Sequence, residues 1–259
     1  MGEHIRYQVD GRVAMVTIDR PERRNAMSYA VLADFHEALG RAAADDAVRA
    51  VVVTGAGGAF CAGTDLTDLS DTPTDQRGAR AGDAPPRAWA MQRIPKPVVA
   101  AVDGWAVGMG AEFATQCDVR VASTTARFAW NFGHRGLVPD TGAASWLLPR
   151  QVGMARALRL VLSGDPLDAA EALAIGFVAA VVEQADLLGA AVEEAARLSK
   201  GSPFAARLAK ELLYAGYERN IAAHLAATRE ALTACFASDD HKEGVAAFLE
   251  RREANFVGR

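Results

Sequence analysis

The segment Pro95–Cys117 constrains the fold of this chain more than any other stretch. It contains an apolar run, Val98–Val102, bounded on both sides by turn-forming residues. Such a run predicts a short buried β-strand. The glycine-spaced turn 108–110 and a series of small residues follow, which predicts a helix. A strand that turns through glycines into a helix leaves backbone N–H groups directed at one place, where the helix dipole favours negative charge.

Glu112 lies in the first turn of this predicted helix. A carboxylate beside a group of N–H donors is the arrangement in which one group moves a proton and the others stabilise the negative charge that develops. We therefore interpret Glu112 as a catalytic candidate. The alternative is a solvated carboxylate on a helix surface.

A second stretch has the same character. The apolar run Ala50–Thr54 is followed by the small-residue turn Gly55–Leu66. Two such turns, each at the end of a strand, can each supply one N–H group to a common oxyanion hole. The alternative is that the glycines only end the strands.

Bulk properties exclude some functions. The chain has 259 residues, of which 51% are hydrophobic and 23% charged, and a net charge of −4. It can therefore bury a sizeable core, and it lacks the basic character of a nucleic-acid-binding protein. No apolar run reaches the length of a membrane-spanning helix, so we expect no membrane partner. The three cysteines are too scattered for a disulfide framework or a zinc site, which favours a cytoplasmic protein without a metal.

The rest of the chain predicts alternating strands and helices, hence an α/β core. A hairpin is predicted over Tyr7–Asp19, a helix capped by Ser28 as far as Ala44, and a loop over 67–84. Later elements are predicted as a short helix over 87–93, strands over 118–122, 126–130 and 177–182, a loop over 131–140, a helix capped by Thr141 as far as Arg150, and helices over 153–162, 169–175, 186–200, 203–217, 221–237 and 240–254.

Common catalytic motifs are absent from the sequence. The glycines after the strand at Ala50–Thr54 fail the dinucleotide-binding fingerprint, because its third glycine would fall at Phe60. There is also no phosphate-binding Walker motif, zinc-protease motif or nucleophile elbow. This leaves the oxyanion hole as the interpretation of the two turns.

Three segments resemble signature segments of the enoyl-CoA hydratase/isomerase (crotonase) superfamily: Phe60–Leu66, Ile94–Gly104 and Gly108–Glu112. The resemblance continues to Lys242–Arg252 and covers essentially the whole chain. It implies a spiral of ββα units over residues 1–200 that holds an acyl-CoA site. It further implies a C-terminal helical region, 201–259, that packs subunits into a homotrimer or a dimer of trimers.

The resemblance also implies functional residues. The backbone N–H groups of Thr64 and Met109 would be the oxyanion-hole donors, although a glycine is common in the family where Met109 stands. The substrate would be an acyl-CoA thioester, so that CoA is part of the substrate and no separate cofactor is expected. The substrate-binding positions implied are Arg24, Ala26, Ala62, Asp65, Leu66, Gly108 and Phe132.

The reaction depends on which carboxylates are present. Glu112 matches one of the two catalytic glutamates of the hydratases, whereas the position of the second is Phe132. Asp140 matches an aspartate used by isomerases of the superfamily, including dienoyl-CoA and ring-opening epoxide/oxepin-CoA isomerases. We therefore predict a double-bond shift catalysed by Glu112 and Asp140. The alternatives are syn-hydration of a 2-trans-enoyl-CoA, a non-catalytic RNA-binding or scaffold protein on the same fold, and, for Asp140 alone, an N-cap.

Overall fold

The computed structural model describes residues 2–65, 67 and 89–259. Its strands are Ile5–Asp10 (β1), Val13–Ile18 (β2), Ala50–Gly55 (β3), Val98–Val102 (β4), Trp105–Val107 (β5), Val119–Ser123 (β6), Arg127–Ala129 (β7), Leu167–Asp168 (β8) and Ala180–Val182 (β9). They form a six-stranded sheet in the order β1-β2-β3-β4-β6-β9 and a three-stranded sheet in the order β5-β7-β8.

Helices lie between the strands in sequence and follow the last strand. The α-helices are Tyr29–Ala44, Ala90–Arg93, Met109–Gln116, Ala143–Trp146, Leu148–Val152, Met154–Ser163, Ala169–Ala174, Leu187–Leu198, Pro203–Ala215, Ile221–Ala237 and Asp239–Glu250. Short 3-10 helices lie at Pro21–Arg23, Asn131–Arg135 and Gln184–Asp186. In the described part of the chain, every helix is too short or too polar to cross a bilayer.

The four central strands of the large sheet, β2, β3, β4 and β6, are buried on both faces. β1 and β2 pair antiparallel, as the predicted hairpin requires, and the remaining pairs of this sheet are parallel. Because side chains alternate along a strand, Val51 and Val53 face one hydrophobic cluster and Val52 faces the other. The helices Tyr29–Ala44 and Leu187–Leu198 supply buried residues to these two clusters. The unbroken apolar runs in the sequence are typical of strands covered on both sides.

The C-terminal helices pack differently from the core. The helices Pro203–Ala215 and Ile221–Ala237 contain no fully buried residue. The first is nevertheless joined to the core, because Lys210 and Tyr214 both hydrogen-bond to the carboxylate of Asp118, at 2.6 and 2.8 Å. Large apolar side chains remain exposed in this region, including Leu213, Ile221, Leu225, Leu232, Phe236, Phe248 and Leu249. The division at residue 200 and the packing of subunits through this region stay predictions.

The structure corrects the sequence prediction around Thr141. The helix begins after Gly142, which has a φ of 78°, and Thr141 is not its cap. The predicted single helix to Arg150 is two short helices, because Pro149 has no N–H group to continue the first one. Asp140 is not an N-cap either.

Other differences are smaller. The predicted loop 131–140 contains the 3-10 helix Asn131–Arg135, and the strand predicted over 177–182 is confined to Ala180–Val182. The strand Trp105–Val107 was not predicted, since three residues between two glycine turns carry no alternating pattern. Most of the predicted loop 67–84, and residues 87 and 88 of the short helix predicted over 87–93, lie outside the described residues.

Candidate active site

The two glycine turns lie side by side. The backbone N–H groups of Phe60 and Cys61 both donate to the carbonyl oxygen of Trp105, at 3.1 and 3.0 Å, and Val107 N–H donates to Cys61 O at 2.9 Å. The turns approach so closely that a Cβ atom added to Gly110 would lie 2.1 Å from Cys61 O. A glycine is therefore required at position 110 by the contact between the turns.

Two backbone N–H groups of the site, those of Thr64 and Met109, are unpaired within the described residues. The residues on either side of Thr64 bond to Met27 through Gly63 O and Asp65 N, both at 2.8 Å. Because alternate N–H groups of an extended chain point in opposite directions, the Thr64 N–H points away from Met27. Among the described residues, neither Thr64 N–H nor Met109 N–H makes a hydrogen bond.

Gly63 brings these two unpaired donors close together. Its φ is 96°, and an added Cβ atom would lie 2.8 Å from Val107 O and 3.5 Å from Met109 N. The turn that carries Thr64 is thus in contact with the start of the helix Met109–Gln116, which we call the Glu112 helix. Two neighbouring unpaired N–H groups, one of them at a helix N-terminus, suit a negatively charged oxygen.

The carboxyl group of Glu112 is fully buried, and both of its oxygens accept hydrogen bonds. Its Oε2 accepts hydrogen bonds from the Thr141 hydroxyl (2.5 Å) and from Ala143 N–H (2.9 Å). Its Oε1 accepts one from Ala144 N–H at 2.8 Å. Burial raises the pKa of Glu112 to about 7; the negative charge of Asp140 adds to this shift and the three donors oppose it.

Thr141 is held from two further directions. Gln116, at the end of the Glu112 helix, donates from Nε2 to the Thr141 hydroxyl oxygen at 3.1 Å. The indole N–H of Trp89 donates to the Thr141 carbonyl oxygen at 3.0 Å. The segment that follows Asp140 is therefore fastened to the Glu112 helix on one side and to Trp89 on the other.

Asp140 differs from Glu112 in that its side chain reaches solvent. No side chain of the described residues donates a hydrogen bond to it. The protein around it nevertheless removes much of its hydration, which raises the pKa of Asp140 to about 6 against the opposing effect of the Thr141 N–H. The charge of Asp140 contributes to raising the pKa of both Glu112 and the buried thiol of Cys61. Asp140 thus lies near both the Glu112 helix and the first glycine turn.

Phe132 provides an apolar wall at this site. Its ring is 7% exposed, and an added Cβ atom on Gly108 would lie 3.9 Å from its Cζ. The ring therefore lies over the turn that precedes Met109. No carboxylate stands at position 132 to face the two N–H groups.

The turn at residues 20–27 adjoins the site. Ala62 N–H donates to Arg24 O at 3.0 Å, and Arg20 donates to Ala26 O at 3.2 Å. Arg24 has a φ of 50° and its side chain is exposed. The structure therefore brings Arg24, Ala26 and Ala62 together.

Asp65 interacts with the protein itself. Its carboxylate forms an ion pair with Arg20, with an Nη1–Oδ2 distance of 2.7 Å. Burial would raise the pKa of Asp65, but the hydrogen bonds from Arg20 and Thr67 outweigh burial and lower it. The ion pair joins the turn at residues 20–27 to the first glycine turn. A substrate contact of Asp65 stays a prediction, and Leu66 lies outside the described residues.

The sequence analysis did not identify Asn25 and Arg20. Asn25 is fully buried with a φ of 60°, and its side-chain amide donates to Ala56 O and Ala59 O at 2.8 and 2.6 Å. Asparagine is among the few residues that tolerate this backbone conformation. That preference was the available signal, but the partners lie more than 30 residues away in sequence.

The described ranges 2–65, 67 and 89–259 contain no group of three or more side chains placed to ligate a metal ion. The site itself combines two carboxyl groups with raised pKa values and two backbone N–H groups that have no acceptor among the described residues.

An α/β fold with carboxyl groups beside two backbone N–H donors is typical of enzymes that move protons and stabilise an oxyanion. Comparison with known proteins identifies the family. The chain matches the family described as Enoyl-CoA hydratase/isomerase over residues 8–259. It belongs to this family and is an enzyme of the isomerase/lyase type. The crotonase fold expected from the sequence is thereby confirmed.

Individual relatives carry both kinds of activity in their names. The chain is 35% identical to 1,2-epoxyphenylacetyl-CoA isomerase of Escherichia coli, over 100% of both proteins. It is 36% identical to short-chain-enoyl-CoA hydratase of Clostridium acetobutylicum, over 94% of both. The crystal structure of an enoyl-CoA hydratase from Bacillus anthracis superposes with a TM-score of 0.93 at 29% identity, covering 99% of this chain and 100% of that one.

Proposed function

We propose that this enzyme moves a double bond within an enoyl-CoA thioester, with Asp140 as the group that transfers the proton. The observation that carries the proposal is the difference between the two carboxyl groups of the site. Asp140 reaches solvent and receives no hydrogen bond from a side chain of the described residues, whereas both oxygens of Glu112 accept hydrogen bonds from protein donors. A group that exchanges a proton with a substrate needs an oxygen that the substrate can reach.

The reaction balances without a second reactant. The carboxylate of Asp140 takes a proton from one carbon of the acyl chain, and the electron pair of that C–H bond moves to the thioester oxygen, giving an enolate. The enolate then collapses, and Asp140 returns the proton to a different carbon. The double bond has moved, and no water has been added.

Thr64 and Met109 supply the stabilisation of the enolate in this proposal. Their unpaired N–H groups lie on adjoining turns, and the Met109 N–H lies at the positive end of a helix dipole. A single oxyanion-hole donor contributes roughly 2.7–4 kcal/mol to such a step.

Phe132 supports isomerisation over hydration. Addition of water across a double bond requires groups that orient and deprotonate the water molecule, and the ring of Phe132 stands over the Gly108 turn in place of such a group. An apolar wall also keeps water from the enolate, which strengthens the hydrogen bonds to its oxygen.

CoA enters this proposal as part of the substrate. The exposed guanidinium of Arg24 is suited to a phosphate group of CoA, and the turn formed by Arg24, Ala26 and Ala62 with Asp65 would hold the rest of that moiety. A contact of Leu66 with CoA is proposed from the family resemblance alone. The substrate is then a soluble thioester, and no separate cofactor takes part.

Assembly is a further part of the proposal. The exposed apolar residues of the C-terminal helices support packing between copies of the chain, as a homotrimer or a dimer of trimers. Light scattering at micromolar concentration tests this, and a monomer would contradict it.

Syn-hydration of a 2-trans-enoyl-CoA is the second candidate. It is favoured by the similarity to a named hydratase over nearly the whole chain and by the retention of Glu112. The two activities are separated by supplying 3-enoyl-, 2-enoyl- and dienoyl-CoA substrates in deuterated water and following them by mass spectrometry. Bond migration or deuterium exchange without net addition of water supports isomerisation, whereas rapid hydration of crotonyl-CoA supports the alternative.

A further inference from the structure

The carboxyl group of Glu112 forms what we call the Glu112 clamp: its two oxygens and the three donors of Thr141, Ala143 and Ala144. Every donor in the clamp comes from the segment that directly follows Asp140. Glu112 itself has no exposed surface. In this arrangement no part of its carboxyl group is available to a substrate.

We propose that Glu112 is a positioning residue, which holds the segment carrying Asp140, and that Asp140 alone exchanges the proton with the substrate. This inference rests on the proposed function and assigns different roles to the two carboxyl groups. The sequence analysis expected both of them to transfer protons.

The segment after Asp140 needs an external support. Gly142 adopts a φ of 78°, and the helix that follows, Ala143–Trp146, has only four residues. A helix this short has little stability of its own. Among the described residues, the side-chain bond that its N-terminus receives from within the segment is a long one, from Ala143 N–H to the Thr141 hydroxyl oxygen at 3.4 Å. The Glu112 carboxylate accepts hydrogen bonds from the first two N–H groups of that helix, although Glu112 lies in a different helix.

The Glu112 helix also carries the N–H group of Met109. Glu112 stands three residues after Met109 in the same helix, so the clamp is at a fixed distance from the proposed enolate-binding donor. By holding Thr141, Glu112 sets where Asp140 lies relative to that donor. Misplacement of a reacting group by about 1 Å can lower a rate roughly a hundredfold.

Two substitutions loosen the clamp by different amounts. In Glu112→Gln, the amide NH2 group cannot accept a hydrogen bond and opposes the donors facing it. In Thr141→Val, the hydroxyl that joins Glu112 and Gln116 is lost, but the two backbone hydrogen bonds remain. Thr141→Ser keeps the hydroxyl and should restore activity.

The control is Thr115→Val. Thr115 lies in the Glu112 helix and is fully buried, and its hydroxyl bonds to Ala111 O and Trp130 rather than to the Glu112 clamp. The substitution removes a buried hydroxyl from the same helix without touching residues 140–144. It should lower stability and leave kcat unchanged.

The experiment measures two rates on a 3-enoyl-CoA in deuterated water: exchange of deuterium into the substrate, and migration of the double bond. If Glu112 only positions Asp140, Glu112→Gln lowers both rates by the same factor, roughly 10–100-fold. Thr141→Val then lowers both by a smaller common factor. In both variants the amide hydrogens of Ala143 and Ala144 exchange faster with solvent, and KM is unchanged because the clamp does not hold CoA.

Two results would overturn the inference. If Glu112→Gln still exchanges deuterium at the wild-type rate but no longer moves the double bond, Glu112 delivers the second proton itself. If Thr141→Val leaves both rates and the amide exchange unchanged, the Glu112 clamp does not position Asp140. Should Glu112→Gln fail to fold, the Thr141→Val and Thr141→Ser pair decides. A wild-type enzyme that neither exchanges deuterium nor moves the bond contradicts the proposed function instead, a result distinct from both.

Discussion

Burial raises the pKa of both carboxyl groups of the site, Glu112 and Asp140, but the two groups have different surroundings. The pKa of Glu112 is raised to about 7 and that of Asp140 to about 6, in both cases chiefly because the protein displaces water. Glu112 is enclosed and bonds to three donors, whereas Asp140 reaches solvent.

The comparison separates a raised pKa from a catalytic role. Perturbed pKa values are frequent at functional sites but also occur in structural networks. What distinguishes the two groups here is whether an oxygen remains available to a substrate. On this criterion we propose Asp140 as the proton-transfer group and Glu112 as the residue that holds it in place.

The largest effect expected is that of Asp140→Asn. Removing a general base lowers kcat by roughly 10²–10⁴-fold, and the amide also lacks the charge needed to take the proton. Steady-state kinetics with a 3-enoyl-CoA measure the loss. Asp165→Asn, at an exposed position, serves as the control and should retain full activity. An Asp140→Asn enzyme within a few-fold of wild type would reverse the assignment of the two groups.

The next effect tests the Met109 N–H group, which we propose as a donor to the enolate. Met109→Pro removes one backbone N–H group at the first position of the Glu112 helix, where proline is tolerated. We expect kcat to fall roughly 10²–10³-fold. Met109→Ala keeps the N–H group and should remain active. Equal activity of the two variants would show that this N–H group does not bind the enolate.

The pH dependence of kcat/KM also distinguishes Asp140 from Glu112, and the expected change is smaller than for the two substitutions above. Because Asp140 has a pKa of about 6 and must be ionised to take a proton, kcat/KM should rise with pH and level off above about 6. One pH unit below that pKa the value should be about tenfold lower. The Glu112→Gln enzyme should show the same rise of kcat/KM with pH, but with lower values at every pH. If kcat/KM of that variant no longer rises with pH, Glu112 is the titrating base.

The smallest effect concerns stability. Since the pKa of Glu112 is raised in the folded state to about 7 from 4.5, the folded protein holds more protons between these values. Its free energy of unfolding therefore falls as the pH rises through that window, by about 3 kcal/mol at 1.36 kcal/mol per unit.

Urea unfolding at pH 5 and pH 8 measures this. The difference in stability between wild type and Glu112→Gln should be larger at pH 5 than at pH 8. An equal difference at both pH values would mean that Glu112 ionises normally in the folded protein, contrary to the effect of its burial.

Local patterns in the sequence predicted the elements that form the site. The apolar run Val98–Val102, the glycines after it and the position of Glu112 near the start of a helix are all local features, and the structure has the strand and the helix where they were expected. The resemblance to the crotonase superfamily supplied the fold.

Interactions between distant residues could not be predicted in this way. Threonine is a residue type that often caps helices, but the hydroxyl of Thr141 donates a hydrogen bond to Glu112, 29 residues earlier in the chain. Asn25 and Arg20 likewise act on partners 31 to 45 residues away. The different surroundings of the two carboxyl groups arise from such contacts, and only the three-dimensional structure reveals them.

The most direct test of the central claim is one measurement of products by mass spectrometry in deuterated water, for the wild type and for Asp140→Asn. We predict that the wild type moves the double bond of a 3-enoyl-CoA without net addition of water. In Asp140→Asn the rate of this reaction should fall by at least roughly a hundredfold. Rapid hydration of crotonyl-CoA that Asp140→Asn leaves unchanged would contradict the account.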